Sequence, residues 1–368
     1  MNKFHLTDMA VKMYCPDNVM ELDDAGLPSI MVYIPAFKNS DVLNGGDDST
    51  HPAFIVKGEQ IDGFYFSKFQ NVVHNSKAYS LPGEDPKASL SFDIAREYCE
   101  AKGHGWHLST AAEWAAIALW CKKNGFLPYG NNAYGKDSRE TEYKAIPSST
   151  EISRVATGTG PLTWSHDGTA SGIWDMNGNV WEWLGGMRVV WGELQILANN
   201  DAADPDIPQN DGSAYWKAIN ATNGMLVSPE ADLVDYNETA GKTVRLDYVN
   251  GAWTFTTFIE NPSADARSCT FDKVTCSPEI SEPAKILLRA LAILPDTDTS
   301  ESTYESDRVY WNNNVAERLV YRGGRSGSGA ESGIFSLSCS ERTTANANTG
   351  FRASYIPGII SGDDLVIM

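Results

Sequence analysis

The sequence predicts an α+β protein in which two helices are combined with short antiparallel sheets and a long insertion. Apolar residues have helical spacing over 89–103 and 108–125, and from about residue 128 short strand-like runs alternate with loops rich in Gly, Asn and Asp. A hydrophobic fraction of 42%, with 11 Trp, 15 Tyr and 13 Phe, indicates a folded core rather than a disordered chain. The 368 residues are enough for one large domain or two ordinary ones.

The first predicted helix, 89–103, has Phe92, Ala95 and Cys99 on one face and Gly103 at its end. The second is the more strongly marked of the two. Thr110 and Glu113 form a capping box at its start, and the apolar stripe that follows consists of Trp114, Ile117, Ala118 and Cys121.

Strand patterns flank the helices on both sides. Met31–Pro35 and Gly63–Phe69 each predict a strand, and Val244–Phe258 predicts a hairpin with Asn250-Gly251 at its turn. We expect residues 1–58 to form an N-terminal appendage for oligomerisation or attachment, and 59–358 to form the main domain. Residues of about 195–305 are loop-heavy and predict an insertion that decorates this domain.

The formal charge of −19 makes a phosphate backbone an unfavourable partner, so we expect no nucleic-acid binding. The N-terminal residues carry Asp8 and no apolar run of signal-peptide length, and no stretch approaches the roughly 20 apolar residues of a membrane span. Neither a cleaved secretion signal nor membrane insertion is expected.

The six cysteines include no CxxC pair and no His/Cys cluster at metal-binding spacing, which favours reduced thiols. Cys269 and Cys276 are near enough in sequence to close a short loop, and the sequence leaves their pairing open.

Three sequence blocks stand out, in a fixed order. They are Gly105–Trp114, the Trp-rich run Gly172–Trp183, and Arg322-Gly323-Gly324 with its partner Gly350-Phe351-Arg352. In this order the blocks resemble the formylglycine-generating-enzyme (sulfatase-modifying-factor) branch of the C-type-lectin fold. The resemblance implies a C-type-lectin-like fold in which the tryptophans of the second block are scaffold.

The resemblance also implies where a calcium ion would bind, because in relatives the Trp-rich loop can hold Ca²⁺ through backbone carbonyls and an acidic side chain. Asn179 and Glu182 are the matching candidate ligands here. No other cofactor is expected.

The enzymes of this family require two cysteines after the Gly-Gly of the third block, because Cu(I) prefers thiolate ligands. The matching positions are near Ser328 and Gly333, and no cysteine occurs there before Cys339. His107 and His166 each lack a nucleophile or a second ligand at a recognisable spacing. The sequence therefore predicts that the protein is not an enzyme.

The same C-terminal segment, about 322–352, resembles the variable region of diversity-generating-retroelement proteins, such as phage tropism determinants. In those proteins Asn codons scatter into Ser, Gly, Thr, Asp, Arg and similar residues, and lysine is absent from 325–349. The resemblance implies display positions at Arg325, Ser326, Gly327, Ser328, Ser336, Ser338, Ser340, Thr343, Thr344, Asn346 and Asn348.

Alternation within this segment separates core from surface. Phe335, Leu337 and Cys339 are predicted to face the core, and the serines between them, Ser336, Ser338 and Ser340, are predicted to face solvent.

These features predict a non-catalytic display protein that binds a host cell-surface protein or glycan, and we expect it to be a phage or prophage receptor-binding (host-tropism) protein. It would act at the virion tail tip or be found in the cytoplasm of the producing bacterium, and family resemblance implies a homo-oligomer, a trimer in the phage case. The alternatives are a formylglycine-generating-type oxidase, or a degenerate relative of one, and a bacterial surface adhesin, against which the absence of a signal peptide counts.

Overall fold

The structure is a computed structural model that describes residues 4–148, 153–233, 240–297 and 303–359. Within these ranges the α-helices are α1 His5–Tyr14, α2 Asn39–Val42, α3 Phe92–Glu100, α4 Ala111–Lys123 and α5 Glu282–Ala290. None of these helices has both the length and the apolar composition needed to cross a bilayer.

The strands of the described residues are mostly short, and the longest have ten residues. In chain order they are β1 Asn18–Leu22, β2 Pro28–Pro35, β3 Ile55–Val56, β4 Glu59–Gln60, β5 Gly63–Ser67, β6 Val72–His74, β7 Lys77–Tyr79, β8 Trp106–Leu108, β9 Trp181–Val190, β10 Glu193–Ile196, β11 Lys217–Ile219, β12 Leu226–Val227, β13 Ala240–Val249, β14 Ala252–Phe258, β15 Arg267–Thr270, β16 Thr275–Cys276, β17 Arg308–Trp311, β18 Arg318–Arg322, β19 Leu337–Ser340, β20 Thr349–Phe351 and β21 Ala353–Tyr355.

The smaller main sheet brings the two ends of the chain together. Its order is β1-β2-β5-β21-β8, and all of its pairs are antiparallel. Met31 and Val32 of β2 are both buried, and they belong to two different hydrophobic clusters. Residues 18–35 are thus part of this sheet rather than of an appendage, because the backbone groups of β2 are hydrogen-bonded to strands on both of its sides.

The larger sheet contains most strands of the predicted insertion. Its main path is β15-β17-β19-β18-β9-β10-β13-β14-β16, and β20 runs parallel to β9. The segment of about 195–305 therefore extends the main sheet instead of decorating it. Its buried side chains, including Trp253 and Leu288, join the same hydrophobic core as Trp114 of α4. Helix α5, which belongs to this segment, was not predicted.

Helices α3 and α4 confirm the two predicted helices. Ser91 caps α3 by accepting a hydrogen bond from the Ile94 N–H, and Thr110 and Glu113 form the expected capping box of α4. Helix α4 is buried on almost every side, which its predicted apolar stripe alone does not indicate, because sheet and loop residues cover its other faces.

The hairpin of β13 and β14 forms as predicted around Asn250 and Gly251. Both turn residues have positive φ, 52° and 84°, as a two-residue type I′ turn requires. The six cysteines, all in the described part of the chain, are free thiols, so Cys269 and Cys276 are not bridged.

Candidate ligand-binding site

A buried ion pair joins the Trp-rich block to the Gly-Phe-Arg block. Glu182 of β9 accepts a 2.7 Å hydrogen bond from Nε of Arg352, and solvent reaches neither side chain. Arg352 also donates to the carbonyls of Ser67 and Lys68, and Gln70 donates to the other Glu182 oxygen at 3.0 Å. Burial raises the pKa of Glu182, and the guanidinium of Arg352 opposes that effect. The pair therefore fixes β9 against the smaller sheet.

The predicted calcium ligands do not fit a calcium ion. The Asn179 side-chain oxygen accepts hydrogen bonds from the Asn131 amide and the Val155 N–H, both at 3.0 Å. Both Glu182 oxygens already accept hydrogen bonds from protein donors, whereas Ca²⁺ needs six to eight oxygens free to coordinate it. No group of three or more acidic, His or Cys side chains among the described residues has a metal-binding arrangement. Asn179 and Glu182 are scaffold residues.

Four of the predicted display positions line a single cleft of about 320 Å³. They are Arg325, Gly327, Ser328 and Ser338, and all four are half-buried. The other walls come from β9, β17 and the short turn before β19, so the complete lining is Trp181, Tyr310, Arg325, Gly327, Ser328, Glu331 and Ser338.

The polar wall of the cleft is partly prearranged. Glu331 accepts a 2.6 Å hydrogen bond from the Tyr310 hydroxyl and is paired with Arg308 at 2.9 Å. Burial, followed by the Glu331 carboxylate, raises the pKa of Tyr310, which therefore stays a neutral donor. The guanidinium of Arg325 has no hydrogen-bond or ion-pair partner among the described residues, so it remains available to a ligand.

Two predicted display side chains are buried instead. Ser326 is 3% exposed, and its N–H donates to the Asn179 carbonyl at 3.1 Å. Ser336 is fully buried, which corrects its predicted solvent-facing position. Its hydroxyl donates to the Glu331 carbonyl at 2.7 Å. The cause is local geometry: β19 begins only at Leu337, so strand alternation does not yet apply at Ser336.

Within β19 the predicted alternation holds in part. Leu337 is buried, and Ser338 and Ser340 are half-buried rather than fully solvent-facing. Cys339 is half-buried as well and packs against the core, as predicted. Phe335 is completely buried, although it lies in the turn before the strand.

The remaining predicted positions lie in a loop between β19 and β20 and do not line the cleft. The Ser340 hydroxyl donates to Thr344 at 2.8 Å, and Asn346 accepts hydrogen bonds from Asn348 and Thr349. Thr343 and Asn348 are exposed, whereas Ser340, Thr344 and Asn346 are half-buried. Asn346 also ties this loop to the segment before α3, because its carbonyl accepts the Ser89 N–H at 3.0 Å.

Sequence reasoning missed three residues of the cleft. Trp181 had been assigned to the scaffold only, yet it lines the cleft while its ring packs edge-on against Tyr321 at 5.1 Å. Tyr310 and Glu331 were not singled out. The alternation of side chains in β17 could have indicated Tyr310, because Val309 and Trp311 are buried and Tyr310 between them faces the other side of the strand.

The positions that match the copper ligands of formylglycine-generating enzymes cannot hold a thiolate pair. Ser328 offers a hydroxyl at the cleft rim. A Cβ atom at Gly333 would lie 1.9 Å from Oδ1 of Asp307, so a side chain fits there only if the Asp307 carboxylate moves away. Asp307 is in turn held in place by the Phe335 N–H at 2.8 Å.

The two histidines singled out in the sequence have structural partners. His107 is buried with one ring nitrogen 2.8 Å from Glu113 and the other 3.0 Å from the Gly105 carbonyl. Burial lowers its pKa, but the Glu113 carboxylate outweighs this and raises it overall. His166 accepts the Ile173 N–H at 2.9 Å. Neither histidine is part of the cleft.

Residues 53–196 match the family model of the sulfatase-modifying factor enzyme 1-like domain. Among curated proteins, none is similar enough in sequence to count as a match. Three solved structures are among those with detectable similarity. PvdO from Pseudomonas aeruginosa has 11% identity and a TM-score of 0.34, with coverage of 89% of this chain and 94% of that one. The P3c variant of the Major Tropism Determinant has 11% identity and a TM-score of 0.31, with coverage of 92% and 71%. Variable protein 1 of Treponema denticola has 10% identity and a TM-score of 0.29, with coverage of 92% and 99%.

The family match includes helices α3 and α4 and the whole of the first two blocks noted in the sequence, Gly105–Trp114 and Gly172–Trp183. The predicted fold class is confirmed, because helices α3 and α4 are combined with short and mostly antiparallel strands, and residues 53–196 match the family model of the sulfatase-modifying factor enzyme 1-like domain.

Proposed function

We propose that this chain is a ligand-binding display protein and that its binding site is the cleft lined by Arg325, Ser328 and Ser338. One observation carries the proposal. Four positions chosen from the sequence as variable, and separated by up to 13 residues, line the same cleft. Side chains that converge on one concave surface are what a recognition site requires.

The scaffold beneath the cleft explains how such positions could vary. The Glu182–Arg352 pair, Trp183 and Phe335 are buried and do not depend on the side chains at the cleft rim. Surface substitutions away from such buried features usually change stability by less than about 0.5 kcal/mol. Tyr or Asn at a rim position would add contact area or adaptable hydrogen bonds without disturbing the core.

In its more specific form, the proposal is that the ligand is a protein or glycan on a host cell and that the protein acts in phage or prophage host recognition, at a tail tip. In that setting a homo-oligomer, with the N-terminal residues contributing to assembly or attachment, would strengthen weak individual sites through multivalency. The alternative, a copper-dependent oxidase, receives no support from this site, because Ser328 and Gly333 occupy the matching positions.

The test is a comparison of binding to a panel of candidate bacterial cells. Ser338→Tyr and Arg325→Ala should change which cells are bound or how tightly, with thermal midpoints close to that of the unsubstituted protein. Thr222→Tyr, at an exposed loop position outside the cleft, is the matched control and should leave binding unchanged. If the cleft variants and the control bind alike to cells that the unsubstituted protein recognises, the cleft is not the binding site.

A further inference from the structure

A second cavity, which shares no residue with the display cleft, lies near the N-terminal strands. Its volume is about 530 Å³, within the range of small-molecule sites. Four separate parts of the chain form it: Asp17 in the turn before β1, β2 with the segment that follows, the second half and end of α4, and the loop 165–171. Its apolar wall consists of Val32, Ile34, Phe37, Val42, Ile117 and Trp120.

His166 contributes a defined polar group to this wall. Its Nδ1 accepts the Ile173 N–H at 2.9 Å, so in the neutral ring the proton is on Nε2. Burial lowers the pKa of His166 to about 4, which keeps the ring neutral near pH 7. The Nε2–H has no acceptor among the described residues, although His166 is only 6% exposed. The ring lies 5.3 Å from that of Trp120.

The charged groups around the cavity favour a cation. Asp17, Asp41 and Asp167 line it, against the single ammonium of Lys123. Asp167 accepts hydrogen bonds from the neutral donors of Thr169, and the ammonium of Lys68 also attracts it electrostatically. The face of Trp120 adds a surface to which an ammonium group is attracted.

We propose that this cavity binds a small amine with an apolar body and an adjacent carbonyl or hydroxyl oxygen. The apolar part packs on the Val32–Trp120 wall, the oxygen accepts the hydrogen bond from His166 Nε2, and the ammonium faces the three aspartates. Each of the three ligand groups matches one feature of the cavity. The apolar body matches the apolar wall, the oxygen matches the hydrogen-bond donor of His166, and the ammonium matches the excess of negative charge.

Three compounds that share a phenylethyl group separate these contributions in calorimetric or ligand-observed NMR titrations. L-Phenylalaninamide carries the amine and the carbonyl, 3-phenylpropanamide lacks the amine, and 2-phenylethylamine lacks the carbonyl. At about pH 6 the amines are largely protonated and His166 is still neutral. We expect L-phenylalaninamide to bind most tightly and the loss of either group to weaken binding by about fivefold, as one hydrogen bond or ion pair typically does. Absence of binding by all three, or equal binding by all three, would overturn the proposal.

Two variants locate the binding. Ala36→Trp places a large ring at the rim of the cavity, since Ala36 is half-buried there, and should abolish binding of L-phenylalaninamide. Asp17→Asn, at an exposed position, should leave 3-phenylpropanamide unaffected and weaken L-phenylalaninamide by about threefold. Thermal midpoints near that of the unsubstituted protein establish that both variants are folded. Undiminished binding of L-phenylalaninamide to the folded Ala36→Trp variant would place its site elsewhere and refute the proposal.

Discussion

Ser336 and Ser338 are two residues apart, have the same side chain and lie in different environments, so replacing each by Ala tests the division between scaffold and display. The Ser336 hydroxyl is fully buried, donates at 2.7 Å to the Glu331 carbonyl and accepts at 3.3 Å from the Arg308 N–H. Ser336→Ala removes both hydrogen bonds and leaves backbone groups without these partners. We expect it to lower the free energy of unfolding by about 1–3 kcal/mol.

Ser338→Ala is the matched control. In the unsubstituted protein, Ser338 is half-buried at the cleft, and its hydroxyl donates one long hydrogen bond of 3.3 Å to the Tyr321 hydroxyl. Water can replace that partner, so we expect a loss within about 0.5 kcal/mol. Urea denaturation followed by Trp fluorescence measures both free energies of unfolding, and the larger pair, Ser336→Tyr and Ser338→Tyr, should widen the difference, because only Ser336 lacks space. Equal losses for the two Ala variants would show that Ser336 is not buried as described.

Three further outcomes are expected. Trp183→Ala should lower the free energy of unfolding by about 3–5 kcal/mol, measured by denaturant titration, because Trp183 is fully buried and packs edge-on against Tyr321; a thermal midpoint unchanged within a degree or two would contradict this. Burial raises the pKa of Asp307 to about 8, although the hydrogen bond from the Phe335 N–H acts in the opposite direction. The folded protein therefore keeps this carboxyl protonated up to a higher pH than the unfolded chain, in which an Asp loses its proton near pH 4. Stability from this group is complete below about pH 4 and declines as the pH rises towards 8; Asp307→Asn should flatten that part of the stability profile, and an identical profile in the variant would refute the assignment. Titration with Cu(I) in the presence of a thiol competitor should show no stoichiometric binding, because a hydroxyl and a hydrogen stand at Ser328 and Gly333.

The local elements could be predicted because their causes lie within a few residues. The capping box of Thr110 and Glu113 satisfies backbone donors three residues apart, and Asn250-Gly251 supplies the positive φ angles of its turn. Helix α5 escaped prediction, although Ser281 and Pro283 mark its start, because the surrounding residues were assigned to an irregular insertion.

The pairing of strands could not be predicted in the same way. Residues 18–35 and the segment of about 195–305 were treated as additions to the domain, yet both complete its sheets. The paired residues Arg188 and Gln195 are close in sequence, but the paired residues Tyr65 and Tyr355 are far apart in the chain. The residue pattern within a strand does not indicate which distant strand it pairs with.

The amino-acid sequence by itself determined the fold class and the segment that contributes most to the cleft, because the Trp-rich block and the Gly-rich third block are properties of residue identity. The tertiary structure alone decided which side chains line the cleft. Ser326 and Ser336 belong to the predicted display segment, but hydrogen bonds to backbone groups hold them inside. Trp181 and Tyr310 come from distant strands and complete the cleft, since exposure depends on what the rest of the chain packs against each side chain rather than on its own neighbours in sequence.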